Sequence, residues 1–596
     1  MVLNAVDWGF VVSFFIISLA IGLAVSKRAG ASSSEFFLSG RKMPWWLLGV
    51  SMVATTFSSD TPNLVTDIVR QNGVAGNWVW WAFLLTGMLT VFVYAKLWRR
   101  SRVLTDLEFY ELRYSGKAAA FLRGFRAIYL GVFFNVLIMA TVSLAIIKIG
   151  GVMLHLPPVE TLLIASLVTV VYSTLGGLRG VLLTDFFQFA IAMIGAIGAA
   201  VVAVRLPQVG GLNALLSNEA VVSKLSLVPD FSNSQAVLII LVLPLAVQWW
   251  SVWYPGAEPG GGGYIAQRML SAKSEKHAIG ATLFFNAAHY ALRPWPWIIV
   301  ALCSLLVFPD LESLRAAFPL VNSSVVRHDM AYPAMLTFLP HGLLGIAVAS
   351  LIAAFMSTIS THLNWGSSYV VNDFYKRFIN PKADEKNQVL IGRLSTVVLM
   401  VLACLVALLL SNALQAFNIL LQVGAGTGLL FILRWFWWRI NPFSELTAMI
   451  VSFLIAVYLQ LIHPKTGLPG LSTPIQLCVG VGITTICWIS VTMLTKPSDT
   501  KILRSFYRLV KPGGPGWKRV IEQAAKDNDS IETPGAPWDV PMGLLCMVFG
   551  CSTVYSALFA TGYWIYGNTI PAVILTATGF ISTVFLVKYW GKLRTN

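Results

Sequence analysis

The sequence predicts an all-α polytopic membrane protein that crosses the bilayer about fifteen times. Of its 596 residues, 57% are hydrophobic and only 11% are charged, whereas a soluble domain carries about 25% charged residues. Apolar runs recur along nearly the whole chain, and each is long enough for a helical span, which takes about 20 residues. The polar segments between the runs alternate between rich and poor in lysine and arginine. These three observations exclude a soluble enzyme or a soluble binding module.

The first apolar run begins at Val6 with no basic residue ahead of it and ends at Lys27 and Arg28. It is therefore interpreted as a first span rather than a cleaved signal peptide. The spans are predicted at residues 6–26, 43–70, 76–97, 126–153, 158–175, 180–204, 235–255, 277–307, 341–365, 387–411, 413–435, 442–463, 475–495, 541–564 and 569–590.

The distribution of basic residues supports this span count. When the polar segments are assigned alternately to two sides, one side receives 34 lysines and arginines and the other receives 6. Positively charged loops favour the cytoplasm, so we expect the N-terminus outside and the C-terminus inside, in a plasma membrane (the inner membrane of a bacterium). The formal charge of +16 is thus a topology signal, and no nucleic-acid partner is expected.

The polar segments are too short to hold a separate enzyme or a signalling domain. The longest is 496–540, which is basic and broken by Pro512, Gly513, Gly514 and Pro515, so it predicts a cytoplasmic linker with one surface helix from Trp517 to Ala525. The six cysteines lie inside apolar runs without a CxxC pair, so neither disulfides nor a zinc site is expected.

Two of the predicted spans contain residues that interrupt a membrane helix. The second contains six hydroxyl residues before Pro62, together with Asp60, and the seventh is interrupted by Pro244 and Pro255. The two spans lie five apart in the count and run in opposite directions, which predicts a core of two inverted five-helix repeats. Interrupted helices at matching positions are typical of the midplane site of a secondary transporter, where unwound carbonyls become ligands for a hard cation.

The pattern gives the following organisation: 1–42, a leading transmembrane helix and cytoplasmic loop; 43–204, the first inverted repeat; 205–234, an outside loop; 235–435, the second inverted repeat; 436–495, additional transmembrane helices; 496–540, the cytoplasmic linker; and 541–596, a C-terminal transmembrane pair.

The ninth span carries the strongest local signal. Ser357, Ser360 and Thr361 share one helical face at spacings of three and four residues, with Thr358 beside them. A single hydroxyl in a membrane helix ordinarily bonds back to its own helix. Four of them without a charge suit a weakly held monovalent ion and are poor ligands for a transition metal.

Several motifs occur in an order known from one transporter family. They are FLSGR at 37–41, GGLRGVLLTDFFQ at 176–188, YIAQRMLSAK at 264–273, AAFMSTIST at 353–361 and NDFYK at 372–376. With these residues the chain resembles the sodium/solute symporter family, which includes sodium/proline, sodium/glucose and sialic acid transporters. The resemblance runs from about residue 6 to residue 463.

The resemblance implies two sodium sites and no other cofactor. In the first, ligands would be the carbonyl oxygens of Ser58, Thr61 and Ala354 and the hydroxyls of Ser357 and Thr358. In the second, an acid of the TD signature joins the hydroxyl helix, giving Asp185, Ser357, Ser360 and Thr361. Two sodium ions per cycle are therefore expected to be possible.

The solute residues are less well defined. This chain has Gly262 where sugar-transporting relatives have Asn or Asp, and His289 near the position of their intramembrane lysine, whereas Gln422 matches a glutamine that contacts sugar. Arg293 could clamp a carboxylate or pair with Glu258 or Asp60, and Lys148 could snorkel to the membrane surface. Candidate solute residues are Asp60, Asn63, Trp249, Trp250, His289, Arg293 and Gln422.

The sequence as a whole favours sodium-driven symport of a sugar, an amino acid or a small carboxylate by alternating access. The expected partners are Na⁺, a small organic solute and the lipid bilayer. Proton coupling through Asp60 or Asp185 is the main alternative. An intramembrane enzyme using His289 would need a second catalytic group, which the sequence does not offer. A transporter-like sensor would need a signalling domain, and the paired broken spans argue against a channel.

Overall fold

The computed structural model describes residues 3–29, 32–251, 258–319, 321, 326–410, 424, 426–532 and 538–593. Regular structure in this part of the chain is helical, apart from one isolated β-bridge between Met43 and Ala272. The predicted all-α class is confirmed. Helices α1 to α17 are those with nine or more residues: Ala5–Ala29, Trp45–Thr56, Asp60–Asn72, Gly116–Ile128, Asn135–Leu154, Pro158–Arg205, Gly263–Ser271, Glu275–Ala287, Pro294–Val307, Leu343–Ser368, Glu385–Ala407, Pro442–Val457, Thr473–Leu494, Thr500–Val510, Lys518–Lys526, Val540–Ile565 and Thr569–Trp590.

Among the described residues, eleven helical segments are long and apolar enough to cross a membrane. Each coincides with one of the predicted spans. The predicted spans at 43–70, 158–175 and 235–255 contain shorter apolar helices, at Trp45–Thr56, Pro158–Val171 and Ser234–Ala246. The predicted span at 413–435 lies mostly outside the described residues. The exact number of fifteen therefore stays a prediction, as do the boundaries of the two repeats.

The first predicted helix interruption is present. Helix α2 ends at Thr56, Phe57 leaves the helical region with φ −86° and ψ 72°, and α3 begins at Asp60. Pro62 lies in the first turn of α3, where its missing N–H removes no helical hydrogen bond. The gap is short because the Ser58 carbonyl accepts a hydrogen bond from the Thr61 N–H at 3.1 Å. Carbonyl groups of the last turn of α2 are thereby left available for other partners.

The second predicted interruption is also present. A helical turn at Ser234–Val237 passes into a π-helical turn, then α-helix at Leu243–Ala246 and a 3₁₀ turn at Gln248–Trp250. Residues 252–257 lie outside the described part. The glycine run that follows has φ 87° at Gly260 and φ 92° at Gly261, a backbone region that favours glycine. It brings the Gly260 carbonyl within 2.7 Å of the Trp98 indole N–H.

Helix α6 contains the GG signature and bends there. Gly177 has φ 51° and ψ −162°, so the helical geometry is interrupted at this residue. The predicted spans 158–175 and 180–204 are thus two helices that meet at a glycine hinge. Only glycine adopts this backbone region without substantial strain.

Replacing this hinge glycine is expected to destabilise the fold. Gly177→Ala places a β-carbon on strained backbone, which costs about 1–3 kcal/mol. The loss is measured as a lower midpoint of thermal unfolding of the purified protein. Gly180→Ala is the matched control, because its β-carbon would meet only Val25 Cγ2, at an ordinary contact distance of 3.4 Å. Equal midpoints for the two variants would contradict the hinge.

The segment predicted as a linker contains two helices, α14 and α15, rather than one. In α14, Leu503, Phe506 and Val510 are buried, and the indole N–H of Trp517 donates to the Trp435 carbonyl at 2.9 Å. Arg113 lies over the rings of Phe506 and Trp517. This segment therefore packs against the helical core, which a charge pattern alone does not indicate.

Candidate ion and solute site

A cavity of about 150 Å³ lies beside the break between α2 and α3. Its wall combines residues of the break with residues of α5, of the π-helical turn at Ala288–Leu292 and of α10. Apolar and aromatic side chains form part of the wall, including Trp80, Phe83, Ile138 and Tyr290. The polar side chains on the wall are Thr55, Thr56, Ser58, Asp60, Thr61, Asn63, Asp67, Thr141, Lys148, Tyr264, His289, Arg293, Asp329 and Thr358.

The hydroxyl helix α10 lies directly against the break. Ser357, Thr358, Ser360 and Thr361 are all buried, and the Thr358 hydroxyl donates to the Thr55 carbonyl at 2.7 Å. A hydroxyl and a carbonyl oxygen from two different helices therefore meet at the cavity wall. Oxygen ligands of this kind suit a hard cation such as sodium.

The residues predicted for the first sodium site are brought together in part. Ser58, Thr61 and Thr358 line the cavity, while Ala354 and Ser357 are buried on the adjoining turn of α10. The carbonyl that contacts Thr358 belongs to Thr55, which the motif comparison did not select. Thr61 lies inside the first turn of α3. Helical carbonyls are committed to hydrogen bonds within the helix, whereas those at the end of α2 are not.

The residues predicted for the second sodium site form a buried polar cluster. Asp185 Oδ1 accepts a hydrogen bond from the Ser357 hydroxyl at 2.6 Å, and its other oxygen accepts one from Ser51. The Thr361 hydroxyl lies 3.0 Å from the Thr55 hydroxyl. Ser360 is directed differently, because its hydroxyl donates to the Ser357 carbonyl of its own helix at 3.1 Å.

A positive side chain that the sequence analysis did not select completes this cluster. Arg268 Nη2 lies 4.0 Å from Asp185 Oδ2 and donates to the Thr361 hydroxyl at 2.8 Å. The same nitrogen lies 3.2 Å from the Ser51 hydroxyl. Arg268 and Asp185 are both 0% exposed. The guanidinium thus contacts the oxygen atoms that would otherwise be available to a second cation.

The arginine is held by residues from three of the family motifs. Arg268 Nη1 donates to the Gln267 side-chain oxygen at 2.9 Å. The Gln267 amide in turn donates to the Phe37 carbonyl and to the Asn364 side chain, at 3.0 and 2.9 Å. The FLSGR, QR and hydroxyl-helix segments therefore form one network. The sequence signal was present in the motif, but its partners became visible only in three dimensions.

Arg293 and His289 form a second polar group on the cavity wall. The π-helical turn at Ala288–Leu292 carries His289, and π-turns inside helices often mark functional sites. Arg293 Nη2 donates to His289 Nδ1, and its Nη1 contacts the Val53 carbonyl at 3.4 Å. The interpretation that Arg293 pairs with Glu258 is wrong, because Glu258 is bound to Arg126.

Asp60 and Asn63, two of the candidate solute residues, both line the cavity from the first turn of α3. The amide nitrogen and oxygen of Asn63 are buried and have no hydrogen-bond partner within the described residues. A buried polar group without a partner is unfavourable. A polar ligand in the cavity would relieve this cost.

Three charged residues lie at the other end of the cavity, which the predicted topology places toward the outside. Lys148 is buried and pairs with Asp329 at 2.6 Å, so the interpretation that it snorkels to the surface is wrong. Asp67 accepts a hydrogen bond from the Gln71 amide at 2.6 Å. The ion pair ties α5 to the short 3₁₀ turn His328–Met330 of the predicted outside segment.

Two other predicted solute residues do not line this cavity, and a third lies outside the described residues. Trp249 and Trp250 lie in the 3₁₀ turn of the second interrupted span, where the Thr86 hydroxyl donates to the Trp249 carbonyl. Neither tryptophan is part of the cavity wall. Gln422 lies outside the described residues. A role for these three residues stays a prediction.

The opposite end of the helical core is closed by buried ion pairs. Arg126 pairs with Glu258, Arg123 with Asp373 at 2.7 Å, and Arg434 with Glu445 at 3.4 Å. Asp106, in the loop before α4, accepts hydrogen bonds from the Tyr369 hydroxyl at 2.5 Å and from the Gly263 N–H at 2.8 Å. Burial raises the pKa of Asp106 to about 6, and the nearby Glu258 carboxylate adds to the rise. The predicted cytoplasmic side is thus tightly packed.

Comparison with protein families identifies the architecture. The model of the sodium:solute symporter family matches residues 36–452. The chain belongs to this family. It is therefore a multi-pass membrane transporter and not an enzyme, and Na⁺ is the coupling ion that the family uses.

The symporter is similar in sequence to several sodium cotransporters. The sodium/glucose cotransporter of Vibrio parahaemolyticus is 26% identical over 465 residues, covering 74% of this chain and 83% of the relative. The sodium/mannose cotransporter of Bos taurus is 25% identical, covering 79% and 82%. The human sodium/myo-inositol cotransporter 2 is 25% identical, covering 76% and 69%.

One solved structure supports the fold of the symporter. A Na⁺-coupled sialic acid symporter in a substrate-bound outward-open state aligns with a TM-score of 0.66 at 20% identity. The alignment covers 83% of this chain and 99% of that structure. The likeness shows that the two chains share a fold.

Proposed function

We propose that this symporter couples the entry of one Na⁺ ion to the uptake of a small polar organic solute bound in the cavity beside the break. The observation that carries the proposal is the hydrogen bond from the Thr358 hydroxyl to the Thr55 carbonyl at the end of α2. The ion site and the solute cavity share this wall, because Thr55, Ser58 and Thr358 all line the cavity. Binding at one place therefore alters the other, as coupled transport requires.

The sodium ligands are proposed to be the hydroxyls of Ser357 and Thr358 with carbonyl oxygens of the break, including those of Thr55 and Ser58. Thr61 and Ala354 remain as the further ligands that the family resemblance implies. The hydroxyl groups are neutral, so the ion is held without a fixed counter-charge. A site of this kind binds weakly enough to release the ion on the low-sodium side.

A single coupled ion is favoured by the position of Arg268. The guanidinium already neutralises Asp185 and bonds to Thr361, so a second sodium would have to displace a tethered cation. One charge crossing the membrane gains about 2.3 kcal/mol per 100 mV. This supports a solute gradient of roughly fiftyfold from the voltage alone, since a tenfold ratio corresponds to about 1.4 kcal/mol.

The solute classes left open by the sequence are a sugar, an amino acid and a small carboxylate. The relatives named for glucose, mannose and myo-inositol support the first class. The orientation proposed for the chain, with its N-terminus outside, places the Lys148–Asp329 end of the cavity toward the external solution. Solute and sodium would then enter past this ion pair, while the ion pairs around Arg126 and Arg123 close the inner side.

Proton coupling is the second candidate, because Asp60 faces the cavity from a helix end. A carboxyl group there could take up and release a proton during the cycle. Asp185 is less suited, since its oxygens already accept hydrogen bonds from Ser51 and Ser357 beside Arg268.

The experiment that tests the proposal is thermal unfolding of the purified protein in sodium, potassium and choline salts at fixed pH. A ligand that binds only the native state raises stability by RT ln(1 + [L]/Kd). We expect a rise specific to sodium that is lost in Ser357→Ala. A variant distant from the site, Ser217→Ala on a predicted outside segment, serves as the control for hydroxyl removal. If the midpoint of thermal unfolding does not depend on sodium but changes with pH, the coupling ion is the proton.

A further inference from the structure

Five charged side chains line the cavity, and their signs do not balance. Asp60, Asp67 and Asp329 are acidic, while Lys148 and Arg293 are basic. His289 is counted as neutral, because the Arg293 guanidinium lies against its ring and disfavours a second positive charge there. Counted by their formal charges, these five side chains give the cavity wall a net charge of −1.

The charges separate into two groups along the cavity. Lys148 and Asp329 neutralise each other at 2.6 Å at the outer end, where Asp67 also lies. Asp60 and Arg293 line the inner part near the sodium ligands, and within the described residues neither of them forms an ion pair. Opposite charges held in one cavity without contact leave each charge poorly compensated in a low-dielectric setting.

Arg293 also has N–H groups that are available to hydrogen-bond a ligand. Three of its five N–H groups point at the His289 carbonyl, the His289 ring and the Val53 carbonyl. Two of these contacts are long, at 3.3 and 3.4 Å, and none is to a carboxylate. Asn63 adds an unpartnered amide oxygen and nitrogen within the same wall.

From these observations we propose that the solute is a net-neutral zwitterion of the amino-acid type. Its ammonium group faces Asp60 and the Asn63 amide oxygen, and its carboxylate faces the remaining N–H groups of Arg293. Its apolar part lies against Trp80 and Tyr290. This inference rests on the proposed function, since it assumes that the cavity is the solute site.

The other two classes fit the charges less well. A monocarboxylate would satisfy Arg293, but it would place a second negative charge beside Asp60, and one sodium ion would leave the occupied site negative. A sugar carries no charge, so Asp60 and Arg293 would interact only with each other across the cavity. A zwitterion with one sodium compensates both side chains and brings the total charge of the occupied site to about zero.

The test compares three solute pools by thermal unfolding in sodium buffer. The first holds the neutral protein amino acids with glycine betaine, the second holds glucose, mannose and myo-inositol, and the third holds lactate, pyruvate and acetate. We expect a further rise in the unfolding midpoint with the first pool alone. The active amino acid should lose its effect as its methyl ester or its N-acetyl derivative, each of which lacks one charge.

Variants of the two charged residues test the same assignment. Asp60→Asn and Arg293→Gln are each expected to weaken amino-acid binding at least tenfold, and Asp230→Asn on an exposed predicted outside loop is the matched carboxylate control. A rise with the sugar pool, with the acid pool or with no pool would overturn the zwitterion assignment. Because the wild-type comparison needs no variant, misfolding of Asp60→Asn leaves the test intact.

Different measurements contradict the proposed function and the assignment of the solute class. Loss of any sodium effect on the solute-free protein contradicts the proposed function itself. A sodium effect that is present without stabilisation by amino acids contradicts only the solute class. In proteoliposomes, one sodium with a zwitterion moves one net charge per cycle, whereas one sodium with a monocarboxylate moves none.

Discussion

Asp185→Asn is expected to destabilise the protein strongly, because it leaves the buried guanidinium of Arg268 without its counter-charge. Removing one member of a buried ion pair costs about 3–5 kcal/mol. Arg268 has no exposure to solvent that could compensate for this loss. Its remaining contacts are hydroxyl and amide oxygens, at 2.8 Å to Thr361 and 2.9 Å to Gln267. The measurement is the midpoint of thermal unfolding at a fixed sodium concentration.

The double variant Asp185→Asn with Arg268→Gln is the control for this effect. It removes both charges while retaining polar side chains, so much of the lost stability should return. If the double variant is as unstable as the sum of the single variants, the two residues act independently and the ion pair is not the cause.

Arg268→Gln alone also tests the single-ion coupling. Without the guanidinium, Asp185, Ser51 and Thr361 become available to a mobile cation. We expect the dependence of stability on sodium concentration to become steeper than in the wild type, as a second ion binds. An unchanged dependence would mean that the arginine does not block a cation site.

Thr358→Val is the second substitution expected to have a large effect. The hydroxyl that it removes is the proposed sodium ligand nearest the break, and its hydrogen bond to the Thr55 carbonyl is lost as well. Valine has nearly the shape of threonine, so the packing of α10 is retained. Loss of one ligand worth about 1.4 kcal/mol or more weakens sodium binding at least tenfold.

The measurement is the sodium concentration that gives half of the maximal stabilisation. Ser360→Ala is the matched control on the same helix, because its hydroxyl donates to its own backbone at 3.1 Å and not to the break. Equal sodium affinity in Thr358→Val and Ser360→Ala would show that Thr358 is not a sodium ligand.

Much of the site could be predicted from local sequence. Hydroxyl residues followed by Pro62 predicted the break, and a proline in a membrane span acts through its own backbone, whatever surrounds it. The hydroxyls of α10 were recognisable because residues three and four apart share a helical face. Asp60 and Asn63 were predicted to face the solute because a polar side chain in an apolar span requires a polar partner.

Other features depend on contacts between distant segments. Arg268 stands 83 positions after Asp185 in the chain, and nothing in the spacing indicates that they touch. The Arg126–Glu258 pair likewise joins residues far apart, so the sequence could offer Glu258 only as one of several partners for Arg293. Lys148 looked like a surface lysine because its partner, Asp329, belongs to a polar segment on another part of the chain.

The sequence alone determined the helical class, most of the membrane spans, the position of the first break and the hydroxyl face of α10. Each of these follows from local rules: hydropathy over a span, the missing N–H of proline and the period of the helix. The tertiary structure decided which oxygen atoms meet at the break, which cation neutralises Asp185 and which charges share the cavity. These depend on how helices pack, because a charge inside a membrane protein is compensated by whatever neighbour the fold supplies.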